Sequence, residues 1–466
     1  MKPILREIIF PYSAEEAYAL FAQEQDSIFL DSAMDIQGMG RYSFIGRDPF
    51  LVFTSQGSMI SIRQAKEVST QEGNPFEILK DLLYKYRTDK VLGFPPFTGG
   101  IMGYFGYDMG FLLENIQNDR EQHDDVPDCC IGFYDTVLIF DHYENKTYIS
   151  ATGFPEMDEK KRLCRGNERI AEFMTLLKKT CHLDKPEQPV PQGDYRTHMK
   201  KEDYCNMITR AIEYIEAGDI FQVNLSQGFS AAVTGLPFDV YRYLRHINPA
   251  PFAAYLHFPE VVVASASPER YLLLKDKVVE TRPIKGTRPR GIDEESDQRL
   301  RQELVNSEKD QAELVMIIDL ERNDLGRVCE YGSVRVPDLI RLEEYATVFH
   351  LVSTVTGCLT QDKDIMDLIM ASFPGGSITG APKVRAMEII EEMESAHRGI
   401  YTGSIGYIDF NGDADLNIVI RTLVIKDGQA YFRVGGGIVA DSVPELEYQE
   451  TLDKGRALMS ALGYKV

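Results

Sequence analysis

The sequence has no long apolar run and no excess of basic residues. No apolar stretch approaches the ~20 residues that a membrane-spanning helix needs. The formal net charge is −22, which disfavours binding to nucleic acid or to an anionic membrane, because both require a basic surface. Charged residues interrupt what would be the apolar part of a signal peptide, so we expect a cytoplasmic protein.

Cysteine and histidine are also scarce. The seven cysteines show no repeated pair spacing, and the eight histidines are scattered along the chain. A zinc site is therefore not expected. We interpret the cysteines as the reduced thiols of a cytosolic protein.

One break divides the chain. Three prolines between Pro186 and Pro191 predict an extended connector, 183–197, between an N-terminal region, 1–182, and a C-terminal region, 198–466. Turn signals such as Asn411-Gly412 and Asp427-Gly428 join short strands into hairpins. Because the helical patterns come in separate blocks, the sequence predicts an α+β fold and not a doubly wound parallel sheet.

The pattern of apolar residues predicts individual elements. One antiparallel sheet is predicted from strands 252–258, 261–266, 271–274 and 277–283, and a second from 401–410, 416–425 and 431–434. Helices are predicted at 162–179, 201–217, 294–317, 364–372, 382–393 and 443–462.

The segment Pro283-Ile-Lys-Gly-Thr287 is the most informative motif. Pro283 cannot donate to a sheet ladder, so the preceding strand ends there or runs along an edge. Gly286 permits a sharp turn or a close approach to a ligand. These features put Lys285 at the end of a sheet strand, where a ligand could reach its amine. Taken alone, they also fit a surface lysine in a turn.

Several acidic side chains share helix faces. Asp310 and Glu313 are three residues apart, and Glu447, Glu450 and Lys454 form one stripe of the last predicted helix. The simplest interpretation of that stripe is a solvated face with a Glu450–Lys454 pair. Ser442-Val-Pro-Glu445 has the pattern of a capping box at its start.

Two further side chains lie in predicted strands. Strand alternation would put Arg421 on the same face as Val419 and Ile425, where a guanidinium either pairs with an acid or binds an anion. His350 is typical of a hydrogen-bonded core histidine.

Together these segments resemble the chorismate-utilising enzymes over nearly the whole chain. The matching strings are Gln222-Val-Asn-Leu-Ser226, Ser267-Pro-Glu-Arg270, Pro283–Thr287, Asp319-Leu-Glu-Arg-Asn-Asp324, His350-Leu-Val-Ser353, Thr379-Gly-Ala-Pro-Lys-Val-Arg-Ala-Met387 and Ile418-Val-Ile-Arg-Thr422. The resemblance implies two antiparallel β-sheets packed face to face, with helices outside and the site in a cleft between layers.

Two positions imply a branch of that family. Members that form anthranilate have alanine where this chain has Lys285, and members that add water have lysine where it has Gln222. The resemblance therefore implies ammonia as the nucleophile and amination of chorismate to 4-amino-4-deoxychorismate, a precursor of 4-aminobenzoate and folate. Formation of anthranilate, or a non-catalytic relative that binds an amino acid near Leu30-Asp-Ser-Ala33, are the alternatives.

The resemblance also implies roles for individual residues. Lys285 matches a covalent nucleophile and Glu269 the general acid. Glu313 and Glu450 match Mg²⁺ ligands, with Glu447 and Asp310 nearby. The implied substrate-binding residues are Gly286, Thr287, His350, Ser377, Tyr401, Arg421, Gly435, Gly437 and Lys454. The chain has no glutaminase signature, so the resemblance implies a separate glutamine amidotransferase subunit that supplies ammonia.

Overall fold

The structure, a computed structural model, describes residues 2–35, 38–114, 116, 126–344 and 348–465. Its strands are β1 Ile4–Ile8, β2 Ser27–Asp31, β3 Tyr42–Gly46, β4 Leu51–Gln56, β5 Met59–Gln64, β6 Glu67–Glu72, β7 Gly100–Phe105, β8 Cys129–Tyr134, β9 Thr136–Asp141, β10 Lys146–Ala151, β11 Gln192–Thr197, β12 Gln222–Ala232, β13 Phe252–His257, β14 Val262–Ser267, β15 Arg270–Lys275, β16 Val278–Thr281, β17 Ile284–Pro289, β18 Arg335–Glu344, β19 Val348–Cys358, β20 Gly380–Ala381, β21 Ser404–Asp409, β22 Ala414–Asn417, β23 Thr422–Lys426 and β24 Gln429–Ile438.

Its helices are α1 Ala14–Ala19, α2 Pro75–Lys85, α3 Glu159–Leu177, α4 Lys201–Glu216, α5 Pro237–Ile247, α6 Glu294–Val305, α7 Glu308–Gly326, α8 Ile365–Ser372, α9 Lys383–Met393 and α10 Pro444–Ala461. Across the described residues, none of the helices is both long enough and apolar enough to span a bilayer.

Two antiparallel sheets form the body of the protein, as predicted. Within the described ranges each sheet has twelve strands. Sheet 1 has the order β1-β10-β9-β3-β2-β13-β14-β23-β24-β12-β11, with β20 paired to β12. Sheet 2 has the order β17-β19-β16-β15-β22-β21-β7-β8-β4-β5-β6, with β18 paired to β19.

The sheets pack face to face through a shared apolar core. The ring of Phe44, in sheet 1, lies 5.3 Å from the ring of Tyr407, in sheet 2, measured between centroids. The ring of Phe97 lies 5.5 Å from the ring of Phe44. Apolar side chains of both sheets join this cluster, including Ile28 and Met102. Two further clusters pack helices onto the outer faces: α1, α3, α5 and α10 cover sheet 1, and α2, α7 and α8 cover sheet 2.

The predicted grouping of strands is wrong in one respect. The chain does not stay in one sheet between 252 and 283, because β13 and β14 belong to sheet 1, whereas β15 and β16 belong to sheet 2. The predicted strand 416–425 divides in the same way into β22, in sheet 2, and β23, in sheet 1. Alternating apolar residues reveal a strand but not which of two stacked sheets it joins.

The predicted helix 294–317 is two helices. Helix α6 ends at Val305, and Ser307 caps α7 by accepting a hydrogen bond from the amide of Asp310. Helix α7 then continues to Gly326 and carries both Asp310 and Glu313.

The N-terminal region contributes strands to both sheets. Strands β1, β2, β3, β9 and β10 lie in sheet 1, and β4 to β8 lie in sheet 2. Residues 183–191 form neither helix nor strand, and β11, at 192–197, pairs with β12. The division at 183–197 stays a prediction about domain organisation.

Phe44 tests the packing between the sheets. It is 4% exposed and contacts aromatic rings of the opposite layer. Replacing it with alanine leaves a cavity that the rigid sheets cannot fill, and we expect Phe44→Ala to cost about 3–5 kcal/mol of stability. Urea unfolding would measure this, with Tyr331→Ala as the control because Tyr331 is fully exposed. Equal stabilities of the two variants would contradict this packing.

Candidate active site

Lys285 lies within an edge strand of sheet 2. As predicted, strand β16 ends before Pro283, but the new strand β17 begins at Ile284, so Lys285 is not in a turn. The register with β19 shifts between Lys285 and Thr287, and Gly286 in between has φ 72°. A Cβ on Gly286 would lie 2.9 Å from the Cβ of Asp310. Glycine is therefore what lets this bulge pack against helix α7.

The Lys285 amine reaches across to strands β12 and β24 of sheet 1. A Cβ built on Gly437 would lie 3.2 Å from Nζ of Lys285 and 2.1 Å from Nε2 of Gln222. Burial lowers the pKa of Lys285, and the nearby Glu313 and Glu269 carboxylates oppose that shift. The amine is thus held where burial favours its neutral, nucleophilic form.

Glu269 lies in the loop where the chain crosses from sheet 1 to sheet 2. It is 6% exposed, and the Ser377 hydroxyl donates a hydrogen bond of 2.7 Å to its Oε1. Burial raises the pKa of Glu269, while Ser377 and Lys285 act in the opposite direction. A carboxyl with a raised pKa is suited to donate a proton.

Helix α10 brings three charged side chains to strand β24. A Cβ on Gly436 would lie 3.4 Å from Oε2 of Glu447, 3.5 Å from Oε1 of Glu450 and 3.7 Å from Nζ of Lys454. Lys454 forms a 2.6 Å ion pair with Glu450 and donates to the carbonyl of Gly435 at 3.0 Å. The predicted Glu450–Lys454 pair is therefore confirmed, and the stripe is solvated only in part: the Glu450 side chain is 52% exposed, whereas Glu447 is buried.

The predicted capping box at the start of α10 is wrong. The N-cap is Val443, which has no side chain able to cap. The Ser442 hydroxyl instead donates to Oε1 of Glu447 at 2.7 Å. Ser442 thus orients an acid of the site instead of capping the helix. Pro444, the first residue of α10, has no backbone N–H and so needs no hydrogen-bond acceptor.

The acids facing Lys285 repel one another. Burial raises the pKa of Glu313 and of Glu447, and each shift is increased by a neighbouring carboxylate, whereas the Lys454 ammonium lowers the pKa of Glu450. Carboxylates under mutual repulsion fit the oxygen ligands that Mg²⁺ prefers. In the described ranges, no three acidic, histidine or cysteine side chains are already gathered closely enough to form a metal site. Mg²⁺ therefore stays a prediction.

Arg421 differs from its prediction. It lies between β22 and β23 with φ 55°, outside the strand that alternation predicted. Its Nη1 donates to the carbonyl of Lys454 at 2.8 Å, which fixes the guanidinium beside α10. The buried Tyr401, whose pKa burial raises to about 12, is close enough to interact electrostatically with it.

His350 and Thr287 form a pair on the adjacent strands β19 and β17. Nδ1 of His350 and Oγ1 of Thr287 are 2.8 Å apart. Burial lowers the pKa of His350 to about 4, so the ring is neutral at physiological pH. A neutral imidazole there can exchange hydrogen bonds but adds no positive charge.

Two polar groups on β12 were not recognised as a pair from the sequence. Gln222 and Asn224 lie on the same face of the strand, and among the described residues Oε1 of Gln222 and Oδ1 of Asn224 are buried without a hydrogen-bond partner. Asn224 is paired directly across the ladder with Gly437. Alternation along β12 is the signal that could have joined them.

A second cavity lies apart from Lys285. It has a volume of about 360 Å³ and is lined by residues of both sheets, among them Leu30, Asp31, Ser32 and Tyr407. None of the predicted site residues lines it. The element that resembles an amino-acid site, Leu30-Asp-Ser-Ala33, therefore borders a real cavity.

Comparison with known proteins gives one consistent result. Residues 43–460 match the chorismate binding enzyme family. Anthranilate synthase component 1 of Acetivibrio thermocellus is 40% identical over 96% of this chain and 93% of its own length. Aminodeoxychorismate synthase component 1 of Bacillus subtilis is 39% identical over 91% of this chain and 89% of its own length.

Solved structures agree. The structural alignment with anthranilate synthase component I from Streptococcus pneumoniae covers 91% of this chain and 92% of that chain, with 33% identity and a TM-score of 0.78. MenF, the menaquinone-specific isochorismate synthase of Escherichia coli, shares the fold at 17% identity, with a TM-score of 0.75 over 99% of this chain and 94% of its own. The chain belongs to the chorismate binding enzyme family.

Gly437 tests the geometry around Lys285. A methyl group there would meet Nε2 of Gln222 at 2.1 Å, so one of the two must move. A displacement of about 1 Å can cost about 100-fold in rate, and we expect that loss of chorismate turnover in Gly437→Ala. Gly326→Ala is the control, since a Cβ there would meet nothing within 4 Å. Full activity of Gly437→Ala would contradict the described packing.

Proposed function

We propose that this chain aminates chorismate at C4 to give 4-amino-4-deoxychorismate through a covalent bond to Lys285. The observation that carries the proposal is the Lys285 amine, whose pKa burial lowers, facing Gln222 and Gly437 across the cleft. The likeness to aminodeoxychorismate synthase component 1 of Bacillus subtilis supports it.

The chemistry begins at the C4 hydroxyl of chorismate, which is a poor leaving group. Glu269 donates its proton to that oxygen, the C4–O bond breaks, and water leaves. The neutral Lys285 amine attacks C2 as the ring double bonds shift, forming a C2–N bond. Ammonia then forms a C4–N bond, the C2–N bond breaks, and Lys285 is released as an amine.

Gln222 is the proposed ammonia-binding group. Its Oε1 is buried and has no partner in the part of the chain that the structure describes. A buried acceptor without a partner is costly, and an ammonia molecule would supply the missing donor. An amide carbonyl cannot deprotonate water, which is consistent with ammonia as the nucleophile.

Mg²⁺ is the proposed cofactor. Glu313 and Glu450 would hold it, with Glu447, oriented by Ser442, beside them. Bound there, the ion would neutralise the ring carboxylate of chorismate and draw electrons from its double bonds. Lys454 and Arg421 add positive charge for the substrate carboxylates in a protein whose net charge is −22.

The source of ammonia is proposed to be a partner. The name component 1 of two relatives implies a further component, and we propose a glutamine amidotransferase subunit that docks on this chain in the cytoplasm. Because the proposed steps use ammonia itself and not glutamine, the chain alone should use ammonium salts.

Formation of anthranilate is the second candidate. The 40% identical relative from Acetivibrio thermocellus bears that name. That reaction releases pyruvate, whereas 4-amino-4-deoxychorismate keeps its side chain until a separate lyase acts. Product analysis of the purified chain with chorismate, Mg²⁺ and ammonium salt separates the two: pyruvate without added lyase would contradict the proposal.

Removal of the lysine tests the covalent step. We expect Lys285→Ala to lower the rate of 4-amino-4-deoxychorismate formation by about 100-fold or more, since covalent catalysis is lost. Turnover with ammonium salt and a thermal melt would be measured together. The control is Lys179→Ala, an exposed lysine after helix α3. Unchanged turnover in Lys285→Ala would refute covalent catalysis.

Removal of divalent cations tests the cofactor. We expect excess EDTA to abolish turnover and added Mg²⁺ to restore it, because repelling carboxylates cannot bind a dianionic substrate unaided. Glu313→Gln should raise the Mg²⁺ concentration needed for half-maximal activity. Full turnover in excess EDTA would eliminate the metal from the account.

A further inference from the structure

Glu321, on helix α7, lies within electrostatic reach of the general acid Glu269 and has no role in the proposed amination steps. It is 8% exposed, and within the described chain its Oε2 is buried with no hydrogen-bond partner. Thr281, the last residue of β16, hydrogen-bonds the same carboxyl group. An acid in this position is costly unless it is protonated.

The turn at 375–377 connects Glu321 to the general acid. A Cβ on Gly376 would lie 3.7 Å from Cγ of Glu321. The next residue, Ser377, donates to Glu269 at 2.7 Å. Glu321 and Glu269 therefore contact the same short turn, and the two carboxyl groups interact electrostatically.

The other charged groups near Glu321 do not neutralise it. Asp324, one turn further along α7, forms a 2.5 Å ion pair with Lys383. Lys383 also donates to the carbonyl of Ser372 at 2.7 Å. Burial, with the neighbouring Glu269 and Asp324, raises the pKa of Glu321 well above its usual range, while Thr281 and Lys383 act in the opposite direction.

A small cavity adjoins this carboxyl group. It is lined by Tyr271, Leu272, Thr281, Glu321, Asp324, Leu325, Ser372 and Gly376 and has a volume of about 10 Å³. That is about the space one water molecule needs, and Glu321, Thr281, Asp324 and Ser372 supply polar groups beside the apolar Leu272 and Leu325. A water there would reach the otherwise unpaired carboxyl oxygen.

The proposed reaction requires a proton at this place. The proton of Glu269 leaves as part of water, and the new C4 amine is basic enough to stay protonated at neutral pH. Each turnover then takes up one proton, and Glu269 must be recharged although it is only 6% exposed.

We propose that Glu321 is a positioning residue that reprotonates Glu269 after each turnover. The O–H bond of Glu321 breaks, its proton passes through water to Glu269, and an O–H bond forms there. Solvent then restores the proton on Glu321, so no other reactant is consumed. This inference rests on the proposed function in requiring that chorismate loses its C4 hydroxyl.

Glu321→Gln is the test, because the amide keeps the size of the side chain but cannot pass on a proton. A positioned acid or base contributes about 10²–10⁴-fold, and we expect kcat with ammonium salt to fall at least about 10-fold. KM for chorismate should stay unchanged. The deficit should shrink at acid pH, where solvent recharges Glu269 directly. Glu330→Gln, an exposed acid just beyond α7, is the matched control.

An unchanged kcat and pH profile in Glu321→Gln would overturn the inference, as would a fall that is equal at every pH. If the variant does not fold, infrared spectra of the unaltered protein decide. The C=O band of a buried protonated carboxyl should persist at neutral pH and weaken in Thr281→Val, and its absence would overturn the inference. Product identity is measured in the same assays, so release of anthranilate would refute the proposed function but leave this test intact.

Discussion

The site depends on the cost of burying the Lys285 ammonium. Burial lowers the pKa of Lys285, while Glu313, Glu269 and Glu450 raise it. The amine is neutral only when those carboxylates carry little net negative charge. A proton on Glu269, the ion pair of Glu450 with Lys454, and the proposed Mg²⁺ all reduce that charge. The charge state of Lys285 is therefore coupled to the protonation of Glu269 and to the binding of the proposed Mg²⁺.

Two segments where the chain crosses between the sheets position charged groups of this site. The loop after β14 carries Glu269, and the segment after β22 carries Arg421. The crossings bind each other, because the amide of Ile418 donates to the carbonyl of Glu269 at 3.0 Å and the Ser267 hydroxyl donates to the carbonyl of Ile418 at 2.5 Å. Groups from both layers are thus fixed relative to each other by short local contacts.

The sequence predicted the elements better than their assembly. Apolar spacing located α4, α8 and α9 within a residue or two, and Pro283 marked the end of β16. Periodicity cannot reveal a change of sheet, so β13 and β14 were wrongly joined to β15 and β16. The strand pattern around Arg421 failed because tertiary contacts hold that residue at φ 55°.

Part of the site was also predictable. Long matching strings identified Lys285 and Glu269, the resemblance implied Glu450 by position, and the structure brings both acids within electrostatic reach of Lys285. Glu321 was not recognised as a separate candidate, because an acid in a helix gives no sign of whether it is buried. Its importance depends on Gly376 and Thr281, which are distant in sequence.

The most direct measurement is the intact mass of the protein after incubation with chorismate and Mg²⁺ in the absence of ammonia. Our account predicts an adduct equal to chorismate minus one water, mapped to Lys285 by peptide analysis and discharged on addition of ammonium salt. An unmodified protein that nevertheless forms 4-amino-4-deoxychorismate at full rate once ammonia is supplied would contradict it.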